Sequence, residues 1–207
     1  MSASSADTQS RILDVAEELF GDQGLDRVSV RDITEAAEVN IAAINYHFGS
    51  KEELIEAVFE RRIGPLNEAR LAALDEAERA AGTKTAKVEA ILEAFIRPAL
   101  ACCLAPSKGG AAFAKLLGRC LAETRPEVEV FLRKQFAPLM ARFEEAFLKA
   151  CPHLSREDVF WRMKFTFGAL HHWLLTRNKF VPPHAEKTTF EEQTRKLIAF
   201  TAAGFRA

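Results

Sequence analysis

An all-α fold, made of a small N-terminal head and a larger helical domain, is what this 207-residue sequence predicts. Apolar residues recur at helical spacing over most of the chain, and no strand-like alternation interrupts them. Residues 29–54, SVRDITEAAEVNIAAINYHFGSKEEL, also compress two short helices, a tight turn and a third helix start into one run. That run is a helix-turn-helix.

The first helix is expected from about Thr8 to Asp22, with Ile12, Ala16, Leu19 and Phe20 on one face and Gly21 and Gly24 ending it. Ser29 and Asp32 have the spacing of a capping box that opens the second, whose apolar positions are Val30, Ile33 and Ala37. Val39 sits in the turn as a core plug. Asn40 is a good N-cap for the third helix, and Ile44 with Phe48, four apart, supply its buried edge. At about 100° per residue, Ala42, Ala43, Asn45 and Tyr46 point away from that edge, with Ile41 and His47 on the flanks. Such a face is small, amide and phenolic, and fits a groove. A Ser50/Glu53 box opens the fourth helix, which carries Leu54, Ile55, Val58 and Phe59 and is expected to stop near Ile63, before Gly64-Pro65. The break divides the chain into residues 1–63 and 64–207.

Further helices are expected at roughly 66–81, 86–104, 110–122, 126–150, 156–178 and 189–205. Thr124/Glu127 with Pro126, Ser155/Asp158 and Thr188/Glu191 are their start signals, and Val181-Pro182-Pro183-His184 reads as a linker.

Residues 29–54 closely resemble the DNA-binding end of the TetR family of bacterial transcriptional repressors, with the order V-R-D-I-A, a turn, then Y-H-F-x-x-K-x-x-L. Val30, Arg31, Asp32, Ile33, Ala37, Val39, Tyr46, His47, Phe48, Lys51 and Leu54 carry the match. Glu38 stands where the family usually has the turn glycine, a change that costs little if its φ stays negative. Asn40 replaces the usual serine cap, and Asn45 a commoner aromatic. The resemblance implies a homodimer whose two heads occupy successive major grooves of a near-palindromic double-stranded operator. The DNA contacts it implies are Ser29, Arg31, Asn40, Ala42, Ala43, Asn45, Tyr46, His47 and Lys51. It further implies release by a small effector bound in the C-terminal domain, with the fourth helix as the mechanical link.

Charge cuts against a simple electrostatic reading. The chain has a formal net charge of −1, yet residues 1–60 hold four basic side chains against thirteen acidic ones, formally −9. A basic-patch criterion alone would reject a nucleic-acid binder. The acids, however, lie mainly in the first helix and after Lys51, and the outer face of the third helix carries none. Phosphate contact then falls to Arg31, Lys51, Tyr46, His47 and exposed N–H groups at helix starts.

The aromatic residues fill the second part: sixteen phenylalanines against one tyrosine offer ring faces and few hydroxyls. The effector cavity implied by the resemblance is assigned to Phe95, Arg97, Phe113, Leu117, Arg119, Phe136, Met140, Phe165 and Trp173, a lining suited to an apolar tail. Arg97 and Arg119 are placed to pair with an anionic head, the plain alternative being solvated arginines. Val159 to Phe165, VFWRMKF, followed by Gly168-Ala169, resembles the fatty-acid-responsive branch of the family. Dimerisation is assigned to Leu170, Leu174, Ile198, Ala202 and Phe205, beside the small residues Gly168, Ala169, Ala203 and Gly204.

Other classes find little support. No G-x-S-x-G, S-x-x-K, P-loop, G-x-G-x-x-G or E-x-x-H occurs, so no enzyme, metal site or cofactor is expected. His171 and His172 are adjacent and point about 100° apart on a helix. Cys102, Cys103, Cys120 and Cys151 lack metal spacing and read as reduced thiols. With no leader-like start and no apolar run near the ~20 residues that span a bilayer, a cytoplasmic protein is expected. The rival reading is a helical ligand carrier or adaptor that does not bind DNA.

Overall fold

The computed structural model describes residues 5–104, 109–122, 125–176, 179, 181–183 and 187–207. Thr124 and His184, named above in a start signal and a linker, lie outside them. Among the described residues the elements are α1 (Ser5–Gln23), α2 (Val30–Ala36), α3 (Ile41–Phe48), α4 (Lys51–Ala81), α5 (Val88–Leu104), α6 (Gly110–Ala122), α7 (Pro126–Ala150), α8 (Arg156–Thr176) and α9 (Phe190–Arg206). No strand occurs among them.

Two boundaries differ from the sequence expectation. The helix after Ser50 does not stop at Ile63: α4 runs through Gly64-Pro65 to Ala81. Proline disfavours a helical preceding residue mainly through that residue's Cβ, which Gly64 lacks, and Ile63 and Leu66 anchor both sides at 0% and 6% exposure. The second difference is in α1, which passes through Gly21 and ends before Gly24, whose φ is +91°. Gly21 is a packing residue, since a Cβ there would stand 2.7 Å from the Ala112 carbonyl oxygen of α6.

The chain forms two compact units, residues 1–65 with 102–133, and 66–101 with 134–207. In the first unit α1 lies against α6 and also contacts α2 and α3. Ile12, Ala16, Phe20, Ile33, Ile44 and Phe59 are all at most 1% exposed in its core. Arg119 of α6 donates from Nε to the Gly21 carbonyl (3.1 Å) and from Nη2 to that of Asp22 (2.8 Å), while Lys115 pairs with the Asp22 carboxylate at 2.8 Å. Those carbonyls belong to the last turn of α1, where helices leave acceptors unmet and favour positive charge. Its own last turn contains no basic residue.

Glu17 of α1 is fully buried and answered by two arginines of α4. Arg61 Nη2 donates to it at 2.5 Å, and Arg62 donates from Nε and Nη2 at 2.8 Å each. Arg61 also reaches Asp14 at 2.8 Å. The Glu17 hydrogen bonds push the Arg62 pKa above its ordinary value. Gly109, at φ +105°, abuts this cluster; a side chain there would collide with the Arg62 guanidinium and the Glu17 carboxylate.

In the second unit the core is aromatic. Phe95 and Phe143 meet edge-on at 5.2 Å, and Phe147 stacks on Phe205 at 4.1 Å. Arg70, 2% exposed, donates to the Phe95 carbonyl at 2.9 Å with its guanidinium 4.1 Å above that ring. The capping box of α9 uses Thr189 and Glu192, one residue later than the spacing from Thr188 indicates, and the Ser155/Asp158 box of α8 forms as expected.

Two stability predictions follow from the first unit. Glu17→Ala leaves two arginines without their shared carboxylate and should cost about 3 kcal/mol, read as a fall in the denaturation midpoint without loss of helix in the native baseline. Glu38 has φ +51°, so the condition under which the loss of the turn glycine costs little is not met. A left-handed non-glycine residue costs ~1–2 kcal/mol, of which glycine's extra chain entropy offsets ~0.5–1. Glu38→Gly should therefore raise stability by roughly 0.5–1 kcal/mol, and an unchanged or lower midpoint would contradict this.

Candidate nucleic-acid interface and ligand domain

Eight residues make up α3, and both of its ends are tied. Asn40 Oδ1 accepts from the Ala43 N–H at 2.9 Å, and Gly49, at φ +80°, returns its N–H to the Asn45 carbonyl at 3.1 Å. The turn before it is a Schellman closure of α2. Glu38 donates to the Glu35 carbonyl (3.2 Å) and Val39 to that of Thr34 (3.0 Å), the two crossing bonds that require a left-handed residue between them. Ser29 and Asp32 form the reciprocal box at the other end of α2. The Ser29 backbone N–H and hydroxyl, both donating to Asp32, hold that carboxyl below its ordinary pKa.

With Ile44 and Phe48 at 1% and 8% exposure, the opposite side of α3 is open. Tyr46 is 81% exposed, Ile41 is 53%, and Ala42 and Asn45 are exposed too. Ala43 and His47 are half-buried, with the His47 ring edge-on to Tyr46 at 5.1 Å. Ile41 thus belongs to the open face more fully than Ala43, which a bare helical wheel ranks the other way. The missed signal was position: as the first residue of α3 it has no preceding turn over it.

Arg31 and Ser29 are exposed on α2 and its cap. Lys51 is half-buried and donates to the Leu25 carbonyl at 2.7 Å, so one of its three N–H donors fastens the start of α4 to the loop after α1.

The residues assigned to an effector divide between the units. Phe113, Leu117 and Arg119 belong to the first, and Phe95, Arg97, Phe136, Met140, Phe165 and Trp173 to the second. Phe113 and Leu117 are buried, and the Phe113 ring lies 6.4 Å from that of Phe59 in the first unit's core. Arg119 is corrected from an anion partner to the cap of α1, its guanidinium already spent on backbone carbonyls. Arg97 likewise holds Glu191 at 2.8 Å and Glu93 at 3.7 Å. Phe165 is 66% exposed and lines no interior. Trp173 stacks on Phe190 at 5.5 Å and donates to Gln193 at 3.3 Å, while Phe136 and Met140 are half-buried. A cavity of about 10 Å³ lies among Leu92, Phe95, Phe147, Met163 and Thr166.

The dimerisation assignment needs a similar correction. Leu170, Ile198, Ala202 and Phe205 are 0–4% exposed within the subunit, because α8 and α9 spend those stripes on each other and on α7. Leu174 is half-buried. The apolar residues these helices leave outward are Phe160, Trp161 and Phe165 on α8 and Phe200, 72% exposed, on α9. His171 is partly buried against Phe167, and burial pushes its pKa down. Among the described residues no group of metal-ligating side chains converges, no disulfide joins the cysteines, and no helix is long and apolar enough to cross a membrane.

Comparison with known proteins agrees with this geometry. A regulator named BetI from Rhizobium meliloti (strain 1021) is 33% identical over 86 residues, 42% of this chain and 40% of that protein. AcrR of Shigella flexneri is 41% identical over 54 residues, 26% of this chain and 25% of its own length. The matches thus span well under half the length of these curated relatives. Among solved structures, the fatty acid degradation regulator FadR from Bacillus halodurans superposes with a TM-score of 0.71 at 16% identity, covering 96% of both chains. A TetR-family regulator from Bordetella parapertussis 12822 superposes at 0.65 with 14% identity and 93% of both chains covered. Residues 12–58 match the family described as bacterial regulatory proteins, tetR family, and residues 93–204 match the tetracyclin repressor-like C-terminal domain, so this chain belongs to the TetR family of regulators.

Proposed function

We propose that this chain is a ligand-responsive DNA-binding repressor, acting as a homodimer on a near-palindromic operator. Residues 1–63 read the DNA, and residues 64–207 take the effector and pair the subunits. The observation that carries this reading is the open, uncharged face of α3, held by caps at both ends with Asn45 and Tyr46 outward. An exposed carboxamide can bond an adenine edge in two places, and Ile41 and Ala42 can meet a thymine methyl. Ser29, Arg31, Asn40, Tyr46, His47 and Lys51 flank that face as phosphate and groove-wall contacts.

The effector is an apolar or amphipathic molecule such as a fatty acid. Support comes from the aromatic interior of the second unit and from the similarity in fold to a protein named as a regulator of fatty acid degradation. A cavity of about 10 Å³ has room for about one water, so such a ligand must displace side chains around Phe95 and Met163 to enter. To switch the protein from mostly bound to mostly free, it must favour the released state by ~3–5 kcal/mol.

The direct test is a gel shift with the DNA upstream of the chain's own gene, repeated with a long-chain fatty acid. Asn45→Ala should cost ~1–3 kcal/mol and relax preference at one position per half-site, whereas Arg31→Ala should weaken all sequences alike. An Asn45→Ala protein with unchanged affinity and base preference would place the reading face elsewhere. Because the head is acidic, log affinity against log salt over ~50–200 mM should be shallow, and a slope near −10 would contradict the reading. Pairing through the outward face of α8 and α9 predicts that Phe200→Glu gives a folded monomer by sedimentation. A Phe200→Glu protein that stays dimeric would put the interface on other helices.

A further inference from the structure

The exposed side chains of α3 are Ile41, Ala42, Asn45 and Tyr46, and the whole helix, IAAINYHF, contains no arginine, lysine, aspartate or glutamate. That absence is chemically selective. In the major groove guanine is read chiefly by a guanidinium or ammonium on O6 and N7, and cytosine by a carboxylate that accepts from N4. The helix assigned to the groove offers neither group.

Its two asparagines have different tasks. Asn40 Oδ1 accepts from the Ala43 N–H at 2.9 Å, which turns that carboxamide onto its own helix, whereas Asn45 lies in the middle of α3 on the open side. Asn45 is the adenine reader. Ile41 stands four residues before it and so neighbours it on the same face, about 6 Å away along the axis. Base pairs follow each other at about 3.4 Å, so the two side chains meet pairs one or two steps apart. At 53% exposure Ile41 is a large apolar group, and the apolar partner that the major groove offers it is the C5-methyl of thymine.

We propose that each operator half-site carries two A·T pairs at fixed places under α3: an adenine bonded by Asn45 and, one or two steps away, a thymine whose methyl packs on Ile41 and Ala42. This rests on the DNA reading proposed above and adds the identity of the bases. Recognition of a methyl group has a corollary, because 5-methylcytosine presents the same group at the same place. Where cytosine replaces that thymine, methylating the cytosine restores part of the binding.

The test is selection by the full chain from a pool of duplexes randomised over two helical turns, followed by affinity measurements on the selected duplex. A·T pairs should stand at the positions where Ile41→Ala and Asn45→Ala lose preference. With the protein unaltered, uracil in place of the Ile41 thymine should weaken binding about fourfold, the worth of one buried methyl. Cytosine there should weaken it further, and 5-methylcytosine should recover about fourfold over cytosine. Ile41→Ala, at an exposed position, should keep its melting temperature and bind the thymine and uracil duplexes alike. A G·C pair at either position, or a uracil duplex bound by the unaltered protein as tightly as the thymine one, would overturn the proposal and leave DNA binding standing. A pool in which no sequence is enriched would remove the DNA reading and the proposal together.

Discussion

A helix of eight residues does not stand alone in water, where isolated helices shorter than ~12–15 residues are marginal. That constraint governs the first unit. Because the open face of α3 is left outward, its stability has to come from its two ends and from the single edge formed by Ile44 and Phe48. Asn40 and Gly49 tie the ends. The Schellman closure at Glu38 sets the turn that brings the buried edge onto α1. The strain at that residue is part of the local cost of the motif, and it is tolerated because two crossing hydrogen bonds and the burial of Ala37 overdetermine the turn.

The platform under α3 depends on α1, and α1 is held by charge as well as by packing. Magnitudes separate the pairs that matter from those that do not. Arg79–Glu76 and Arg133–Glu129 lie on the surface, with side chains 60–75% exposed, and are worth little. Glu17 is different because it is fully buried, and a buried carboxylate without partners is costly. Its two arginines couple α1 to the first half of α4, and Arg119 with Lys115 couples the other end of α1 to α6. All four basic groups in this framework come from outside residues 1–60, Arg61 and Arg62 by only one or two positions and Arg119 and Lys115 from a distant helix. The formal −9 of residues 1–60 therefore overstates the acidity of the unit that those residues help to build.

Arginines marked in the sequence as anion partners turn out to be structural for the same reason. An arginine beside an apolar helix must satisfy five N–H donors, and the nearest acceptors were the unmet carbonyls of α1 for Arg119 and the Glu191 carboxylate for Arg97. Once those donors are used, an anionic ligand would have to compete with bonds already made.

The sequence by itself determined the features that act within a few residues. The capping boxes at Ser29 and Ser155, the Asn40 cap, the Ile44/Phe48 edge and the helical content of the second part all rest on local spacing, and the structure has them where that spacing puts them. Only tertiary structure decided which of two helical stripes faces inward. Leu170, Ile198, Ala202 and Phe205 could have served a partner by pattern alone, but α7, α8 and α9 close on them and leave Phe165 and Phe200 outside. It also decided that Gly21 is a contact instead of a stop, and that α4 continues through Pro65. Periodicity reports that a face is apolar. It does not report what will cover that face, because the cover comes from residues far away in the chain.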